Sequence, residues 1–312
     1  MTKLTPMARD FTSDEATLIQ KGEDEGFYRN LGSKHSALFS KRGSTLLVTF
    51  ENLDHVVNRT EDQLPWGYSL AEKQNWSILG LMAHEWSWYR DDAVLDFFDE
   101  MRDTGFFKDF DRVIFYGASM GAYAACAFSS AAPGSDVIAI SPQATLDRGI
   151  TSWETRYRKT WRRNFSDRYG FAPDHVRTAN QVVLIFDPAS PLDAMHASLF
   201  RGDNVISVRC RFMGHRIMSL WATMGILKEA AICLLEPKPD ILEFRRLMRH
   251  RYNSQRYQKE LLAQVMAKKR DDLIIRLCEA VLARRRAPHF RRALRDAQRR
   301  QDAKAIQRAQ VS

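Results

Sequence analysis

The five-residue motif Gly117–Gly121, with the sequence Gly-Ala-Ser-Met-Gly, constrains the fold of this chain more than any other feature. An apolar run, 112–116, precedes it, and a run of mostly small residues, 122–128, follows it. The first pattern is typical of a buried strand and the second of a helix. We therefore expect a strand, a sharp turn with Ser119 at its apex, and a helix whose N-terminal amides face that serine. Side chains in place of the two glycines would collide with the neighbouring strand and helix.

Apolar runs alternate with helical stretches along much of the chain. The runs are nearly continuously apolar, as strands buried on both faces of a parallel sheet are. This alternation favours an α/β fold, a mostly parallel sheet with helices on both faces. The strand candidates are 45–50, 77–82, 112–116, 136–141, 181–186 and 204–212.

The length and charge of the chain predict two parts. Its 312 residues, 45% of them hydrophobic, suffice for one α/β domain of about 200–250 residues and an appendage. We expect the α/β domain at 1–238, with a helical cap insert at about 142–180, and a basic helical extension at 239–312. The net charge is +9 for the whole chain, but residues 240–312 carry +12 and the remainder carries −3.

In this context the motif Gly117–Gly121 resembles the nucleophile elbow of the α/β-hydrolase superfamily. The resemblance covers roughly residues 40–235 and implies an α/β-hydrolase-like sheet with Ser119 as the nucleophile. It also implies a catalytic triad in the chain order serine, acid, histidine. Neither a metal nor a cofactor is implied.

The resemblance places the acid after the next strand but one. Asp187 directly follows the strand candidate 181–186, and Pro191, which opens the next helix, comes four residues later. Asp187 is favoured on that basis. Asp193 is the alternative acid, although a carboxylate in the first turn of a helix also stabilises the helix N-terminus.

The histidine of the triad should follow the last strand. The strand candidate 204–212 is followed by Met213, Gly214 and His215, and an apolar helix is expected from Ile217. The resemblance therefore implies that His215 is the base that accepts the proton of the nucleophile.

An oxyanion hole needs two backbone N–H donors. Met120, which follows the nucleophile, is expected to supply one. The other should come from the loop after the strand candidate 45–50, which begins with Glu51 and Asn52. The sequence leaves the choice between these two open.

The insert at about 142–180 is rich in aromatic and basic residues and carries a net charge of +4. Trp153, Tyr157 and Trp161 recur at intervals of four, which predicts an aromatic stripe on one helix. Most of these rings are expected to pack the insert onto the domain. A further hypothesis is an aromatic, cationic entrance that prefers acyl or anionic esters, with Arg162 and Arg163 contributing its charge.

The basic extension is expected to be helical. Its apolar residues between 271 and 284 share one helix face, and those between 261 and 266 form a similar stripe. Pro288 interrupts the pattern, and a last polar helix is expected at 289–307. We expect the stripe to dock on the domain or on a partner while the charges face solvent. The basic helices are candidates for contact with a protein or an anionic partner.

Cysteine usage and hydropathy indicate whether the chain carries zinc or redox motifs and whether it spans a membrane. The four cysteines include no C-x-x-C pair, which argues against zinc and redox motifs. The N-terminus has no apolar signal-like region, and no apolar run approaches the roughly 18 residues of a transmembrane segment. A cytoplasmic protein without a transmembrane segment is expected.

These residues predict a serine carboxylesterase or thioesterase that acts on a small-molecule ester or acyl substrate through an acyl-enzyme. One alternative is an acyltransferase of the same fold, in which another hydroxyl replaces water. The other is a non-catalytic protein of this fold that acts through its basic tail.

Overall fold

Eight β-strands form a single sheet in residues 15–52 and 63–309, the parts of the chain that this computed structural model describes. Their order across the sheet is β1-β2-β4-β3-β5-β6-β7-β8. The strands are β1 (Gly26–Leu31), β2 (His35–Ser40), β3 (Thr45–Asn52), β4 (Ser77–Ala83), β5 (Arg112–Ala118), β6 (Asp136–Ile140), β7 (Gln181–Phe186) and β8 (Val205–Arg209).

The sheet is mostly parallel. Strand β2 runs antiparallel to both of its neighbours, β1 and β4, whereas all neighbours from β4 across to β8 are parallel. The carboxyl ends of the six parallel strands therefore meet at one edge, where α/β folds generally place their sites. The α/β fold class predicted from the sequence, with its mostly parallel sheet and helical extension, is confirmed.

The chain divides into two compact units, Met1–Cys210 and Arg211–Ser312. The domain boundary at 238 stays a prediction. In the described residues of the first unit, the helices are α1 (Ala16–Glu25), α2 (Tyr68–Lys73), α3 (Asp92–Asp103), α4 (Met120–Phe128), α5 (Arg148–Thr151), α6 (Ala172–His175) and α7 (Pro191–Leu199).

The core of the first unit follows from the apolar strands. All five residues of β6 are buried, as are Leu46 to Phe50 of β3. Helix α4 lies in this core, since its residues from Gly121 to Phe128 are all buried. The ring of Phe128 stacks on that of Phe98 at 4.0 Å between centroids. This packing fixes the position of α4 and hence of the turn that precedes it.

The insert differs from the predicted aromatic helix. Helix α5 ends at Thr151, and Trp153 lies in the turn that follows it. Tyr157 precedes a short 3₁₀ helix, Arg158–Arg162, which contains Trp161. The three aromatic residues therefore do not share a helix, and the prediction of a helical stripe is wrong. The insert consists of short helical turns.

The second unit is helical in its described part. Its helices are α8 (Ile217–Thr223), α9 (Leu227–Leu235), α10 (Ile241–Leu247), α11 (Gln255–Ala267), α12 (Asp271–Leu282) and α13 (Pro288–Ala309). The apolar stripe of α12, including Ile274, Cys278 and Val281, packs with Leu262 of α11 and Phe290 of α13. The predicted stripe thus packs between helices α11, α12 and α13 of this unit.

Candidate active site

Ser119 lies in a strained turn between the central strand β5 and helix α4. The strand ends at Ala118 and the helix begins at Met120, so that one residue makes the turn. The backbone of Ser119 has φ +53° and ψ −118°. A side chain at positive φ is unfavourable, and such strain concentrates at functional sites. Two backbone hydrogen bonds hold the turn, from Ser119 N to Ile140 O at 2.8 Å and from Tyr123 N to Ser119 O at 3.0 Å.

The glycines of the motif are required by close backbone contacts. A Cβ at Gly117 would lie 2.2 Å from the carbonyl oxygen of Gly121. A Cβ at Gly121 would lie 2.5 Å from the carbonyl oxygen of Phe50 in β3. Both distances are below any contact that real Cβ atoms make. The collisions predicted from the sequence, with helix and strand, are confirmed.

Ser119 and Asp187 lie at the same edge of the sheet. Ala118 is the register partner of Ile140, and Ile140 is the partner of Ile185. Ser119 comes directly after β5, and Asp187 directly after β7, with β6 between these strands. Adjacent strands are about 4.8 Å apart, so two spacings separate the two residues by roughly 10 Å across the sheet.

The two acid candidates have different environments. The Oδ1 of Asp187 accepts a hydrogen bond from Ala189 N at 2.8 Å within its own loop. Asp193, in the first turn of α7, has a side chain that is 0% exposed. Its Oδ1 pairs with Arg156 Nη1 at 2.7 Å, and its Oδ2 accepts from Ser190 Oγ at 2.8 Å. Both oxygens of Asp193 are therefore engaged in structural contacts.

His215 lies between β8 and α8, within the second unit. It is half-buried and follows Gly214, which has φ +69°. Its role as the base stays a prediction.

The residues predicted for the oxyanion hole lie on two elements. Met120 is the first residue of α4, so its N–H belongs to the first turn, whose amides have no acceptor within the helix. Glu51 and Asn52 are the last residues of β3, and the expectation that they begin a loop is wrong. Both the side chain and the backbone of Glu51 accept hydrogen bonds. Its carboxylate accepts one from Trp66 N at 2.7 Å, and its carbonyl oxygen accepts one from the Tyr89 hydroxyl at 2.7 Å.

An aromatic group from two segments contacts the serine side chain through Tyr157. The hydroxyl of Tyr157, from the insert, is hydrogen-bonded to the side chain of Ser119. The Tyr157 ring lies 4.7 Å from that of Trp88 and 6.2 Å from that of Trp86, measured between centroids. Trp88 is fully buried and donates to Gln143 Oε1 at 3.0 Å, whereas Trp86 is 63% exposed. Sequence reasoning missed both tryptophans because only the turn after β4 brings them to the insert.

A polar cluster adjoins this aromatic group, and three of its four members are buried. It consists of Glu154, Arg156, Asp193 and His196, called the Glu154 cluster below. Arg156 bridges the carboxylates of Glu154, at 2.6 Å, and Asp193, at 2.7 Å. His196 Nδ1 accepts a hydrogen bond from Ala144 N at 3.1 Å, so that Nε2 carries the proton and donates to Glu154 at 3.0 Å. The imidazole is therefore neutral.

The pKa shifts in the Glu154 cluster agree with a neutral His196. Burial lowers the pKa of His196 despite the neighbouring carboxylate of Glu154. Burial alone would raise the pKa of Glu154, but hydrogen bonds from His196 and Arg156 outweigh it and lower the pKa to about 2. Glu154 is thus ionised and Arg156 is its counterion. Sequence reasoning counted Arg156 only as part of the basic charge of the insert.

Other cations of the insert are also paired. Arg163 pairs with Asp91, and Arg168 pairs with Asp96 and Asp99 of α3. The guanidinium of Arg148 lies 4.7 Å from the Trp161 ring centroid. Arg163, one of the two arginines expected at an entrance, and Arg168 therefore attach the insert to the rest of the first unit.

A second grouping of serine, histidine and aspartate is structural. His35 Nε2 lies 2.7 Å from Ser87 Oγ, and its Nδ1 lies 3.6 Å from Asp91. Ser87 is 0% exposed and accepts from Tyr89 N at 3.1 Å, so no substrate reaches it. Burial lowers the pKa of His35 to about 4 and keeps the ring neutral.

Within the described ranges, no group of three or more His, Cys, Asp or Glu side chains is placed to hold a metal ion. In the same ranges, no helix is long and apolar enough to cross a membrane.

Comparison with known proteins gives distant likenesses among solved structures. No protein-family model matches the chain. No curated protein matches it. An esterase from Pyrococcus furiosus is 13% identical, with a TM-score of 0.42 over 72% of this chain and 95% of that one. The capsule O-acetyltransferase of Neisseria meningitidis serogroup A is 11% identical, with a TM-score of 0.39 over 64% of this chain and 89% of that one.

A third likeness is to the glycosylation-associated Gap123 complex of Streptococcus agalactiae, at 13% identity and a TM-score of 0.42. It covers 66% of this chain but only 45% of the other, so this chain spans less than half of that protein. Because each TM-score is below 0.5, none of these likenesses bears on activity.

Proposed function

We propose that the chain is a serine hydrolase that cleaves an ester or thioester of a small molecule through Ser119, His215 and Asp187. The conformation of Ser119 carries the proposal. At φ +53° and ψ −118°, Ser119 lies outside even the left-handed helical region, and holding a serine there between a buried strand and a helix costs about 1–3 kcal/mol. In a nucleophile elbow the same turn exposes the hydroxyl at the carboxyl edge of the sheet.

Asp187 suits the role of the acid better than Asp193. It follows β7 at the edge that carries Ser119, roughly 10 Å away across the sheet. Serine, imidazole and carboxylate side chains bridge such a distance with two hydrogen bonds. Asp193 already has both oxygens engaged by Arg156 and Ser190.

Chain connectivity supports His215 as the base. The chain leaves the sheet at Cys210, whose N–H donates to Phe186 O at 2.8 Å, next to the acid loop. His215 follows five residues later, and five residues span at most about 17 Å.

The reaction has two halves. Ser119 Oγ attacks the carbonyl carbon while His215 accepts its proton, and the electrons of the C=O bond move to the oxygen, where Met120 N–H stabilises the charge. The intermediate collapses and expels the alkoxide or thiolate, which takes the proton from His215, and an acyl-serine remains. Water, deprotonated by His215, then attacks the acyl group, and Ser119 leaves with that proton.

Labelling with a fluorophosphonate probe tests the proposal. Wild type should be labelled, and Ser119→Ala and His215→Ala should not be. Ser87→Ala is the matched control, because it removes the hydroxyl of the buried look-alike and should keep the label. Circular dichroism establishes that each variant is folded.

Labelling that persists in folded Ser119→Ala would refute the proposal, as would a folded wild type that resists the probe and also fails to hydrolyse p-nitrophenyl acetate. Adding an alcohol acceptor to the assay separates hydrolysis from acyl transfer, since a transferase forms the new ester in preference to the free acid.

A further inference from the structure

We propose that Tyr157 is a catalytic residue of this site, whose hydroxyl donates a hydrogen bond to the carbonyl oxygen that becomes negative when Ser119 attacks. This role rests on the proposed function. The hydroxyl proton stays on Tyr157 throughout, so that no bond to it forms or breaks.

The position of the hydroxyl supports this role. In the resting protein it is hydrogen-bonded to the side chain of Ser119. The oxyanion and Ser119 Oγ are bonded to the same carbon in the tetrahedral intermediate. A donor in contact with Oγ therefore needs only a small shift to lie about 2.7–3.1 Å from the oxyanion.

Two neighbouring side chains, those of Trp88 and Arg156, contact the ring of Tyr157. Trp88 packs against it at 4.7 Å and is itself fixed by its hydrogen bond to Gln143. The guanidinium of Arg156 lies 5.2 Å from the Tyr157 ring centroid, and Glu154 in turn binds that guanidinium. A donor fixed before the reaction needs little reorganisation when charge develops, which is the basis of oxyanion stabilisation.

The protonation of Tyr157 also fits. Burial raises the pKa of its hydroxyl, against the opposing effect of Arg156. The group is therefore neutral near pH 7 and able to donate. The Tyr157 hydroxyl belongs to the insert, whereas the Met120 N–H belongs to α4. These two donors therefore approach the oxyanion from different segments.

Replacement of Tyr157 by phenylalanine tests the proposal, because it removes the hydroxyl and keeps the ring. With p-nitrophenyl acetate as substrate, Tyr157→Phe should lower kcat about 10²-fold, the cost of one lost oxyanion donor, with KM within threefold of wild type. Tyr169→Phe is the matched control. It removes another hydroxyl of the insert, one bonded to Asp99 at 2.7 Å, and should leave kcat unchanged.

A second measurement separates a catalytic from a structural role. The affinity for a trifluoromethyl ketone, which mimics the tetrahedral intermediate, should fall in Tyr157→Phe by the same factor as kcat/KM. If Tyr157→Phe has a kcat within threefold of wild type, or an unchanged affinity for the ketone, the role of Tyr157 is overturned. The proposed function then stands provided that Ser119→Ala is inactive. A wild type that neither hydrolyses the ester nor reacts with a fluorophosphonate overturns both.

Discussion

Replacement of Glu154 by glutamine should destabilise the protein in a pH-dependent way. The change preserves the shape of a side chain that is 0% exposed and removes the charge that faces Arg156. The pKa of Glu154 is about 2, against an ordinary value of 4.5. Since one pKa unit corresponds to 1.36 kcal/mol, the folded state favours the ionised carboxylate by about 3 kcal/mol. Glu154→Gln should lose about this much free energy of unfolding at pH 7.

The sign of the pH dependence follows from the lowered pKa. A carboxyl group with a lower pKa in the folded state stabilises that state above its unfolded pKa, near 4.5. The contribution is lost as the pH falls through the folded pKa of about 2. The difference in unfolding free energy between wild type and Glu154→Gln should therefore be constant above pH 5 and shrink between about pH 4.5 and 2.

Urea unfolding followed by tryptophan fluorescence measures this difference at each pH. The ring of Trp153 lies 4.6 Å from that of His196, so its emission reports on the Glu154 cluster. Glu100→Gln is the matched control, because Glu100 pairs with Arg29 at the surface and exposed pairs contribute at most about 1 kcal/mol. Equal stability of Glu154→Gln and wild type at pH 7, or a difference that persists unchanged at pH 2, would refute the reasoning.

Three further predictions concern the site. In steady-state kinetics, Asp187→Asn should lower kcat about 10⁴-fold, whereas Asp193→Asn should keep kcat within tenfold. In urea unfolding, Asp193→Asn should lose about 3 kcal/mol of unfolding free energy, because it breaks the ion pair with Arg156. Gly121→Ala should abolish probe labelling, since its Cβ would lie 2.5 Å from a backbone oxygen. Gly134→Ala is the control: its Cβ meets open space, so it should lower the unfolding free energy by only about 1 kcal/mol and keep the label. Trp86→Ala should raise KM for p-nitrophenyl butyrate about three- to tenfold at unchanged kcat, because its exposed ring lies 6.2 Å from that of Tyr157, and we expect it to cover part of the acyl chain; an unchanged KM would contradict this.

The strands were predictable because parallel strands buried on both faces are continuous apolar runs. The predicted and observed bounds of β7 agree at both ends, Gln181 and Phe186. The strand-turn-helix order could be predicted from the motif Gly117–Gly121. A side chain at either glycine would collide with backbone atoms, so this geometry requires glycine at both positions. The last strand was predicted too long. At the edge of the sheet β8 is only partly buried, and it ends at Arg209 although the apolar residues Cys210 and Phe212 follow.

The insert could not be predicted by periodicity because its side chains compete with helical hydrogen bonds. The spacing of Trp153, Tyr157 and Trp161 fits a helix. However, Arg156 N donates to Glu154 Oε1 at 2.7 Å, which replaces a helical bond at the centre of that segment. The partner that makes this turn favourable, Asp193, lies 37 residues away from Arg156 in the sequence. A local pattern contains no information on such a partner.

The pairing of the cations determines what kind of structure the insert is. Arg156 attaches it to α7 through Asp193, and Arg168 attaches it to α3 through Asp96. From the other side, Arg90 donates to the carbonyl oxygens of Asn164, at 2.9 Å, and Arg168, at 2.8 Å. Charges engaged in this way fix a segment and are no longer available to attract an anionic substrate. We therefore expect the insert to contribute a fixed donor, the hydroxyl of Tyr157, and selectivity for anionic esters to be weak.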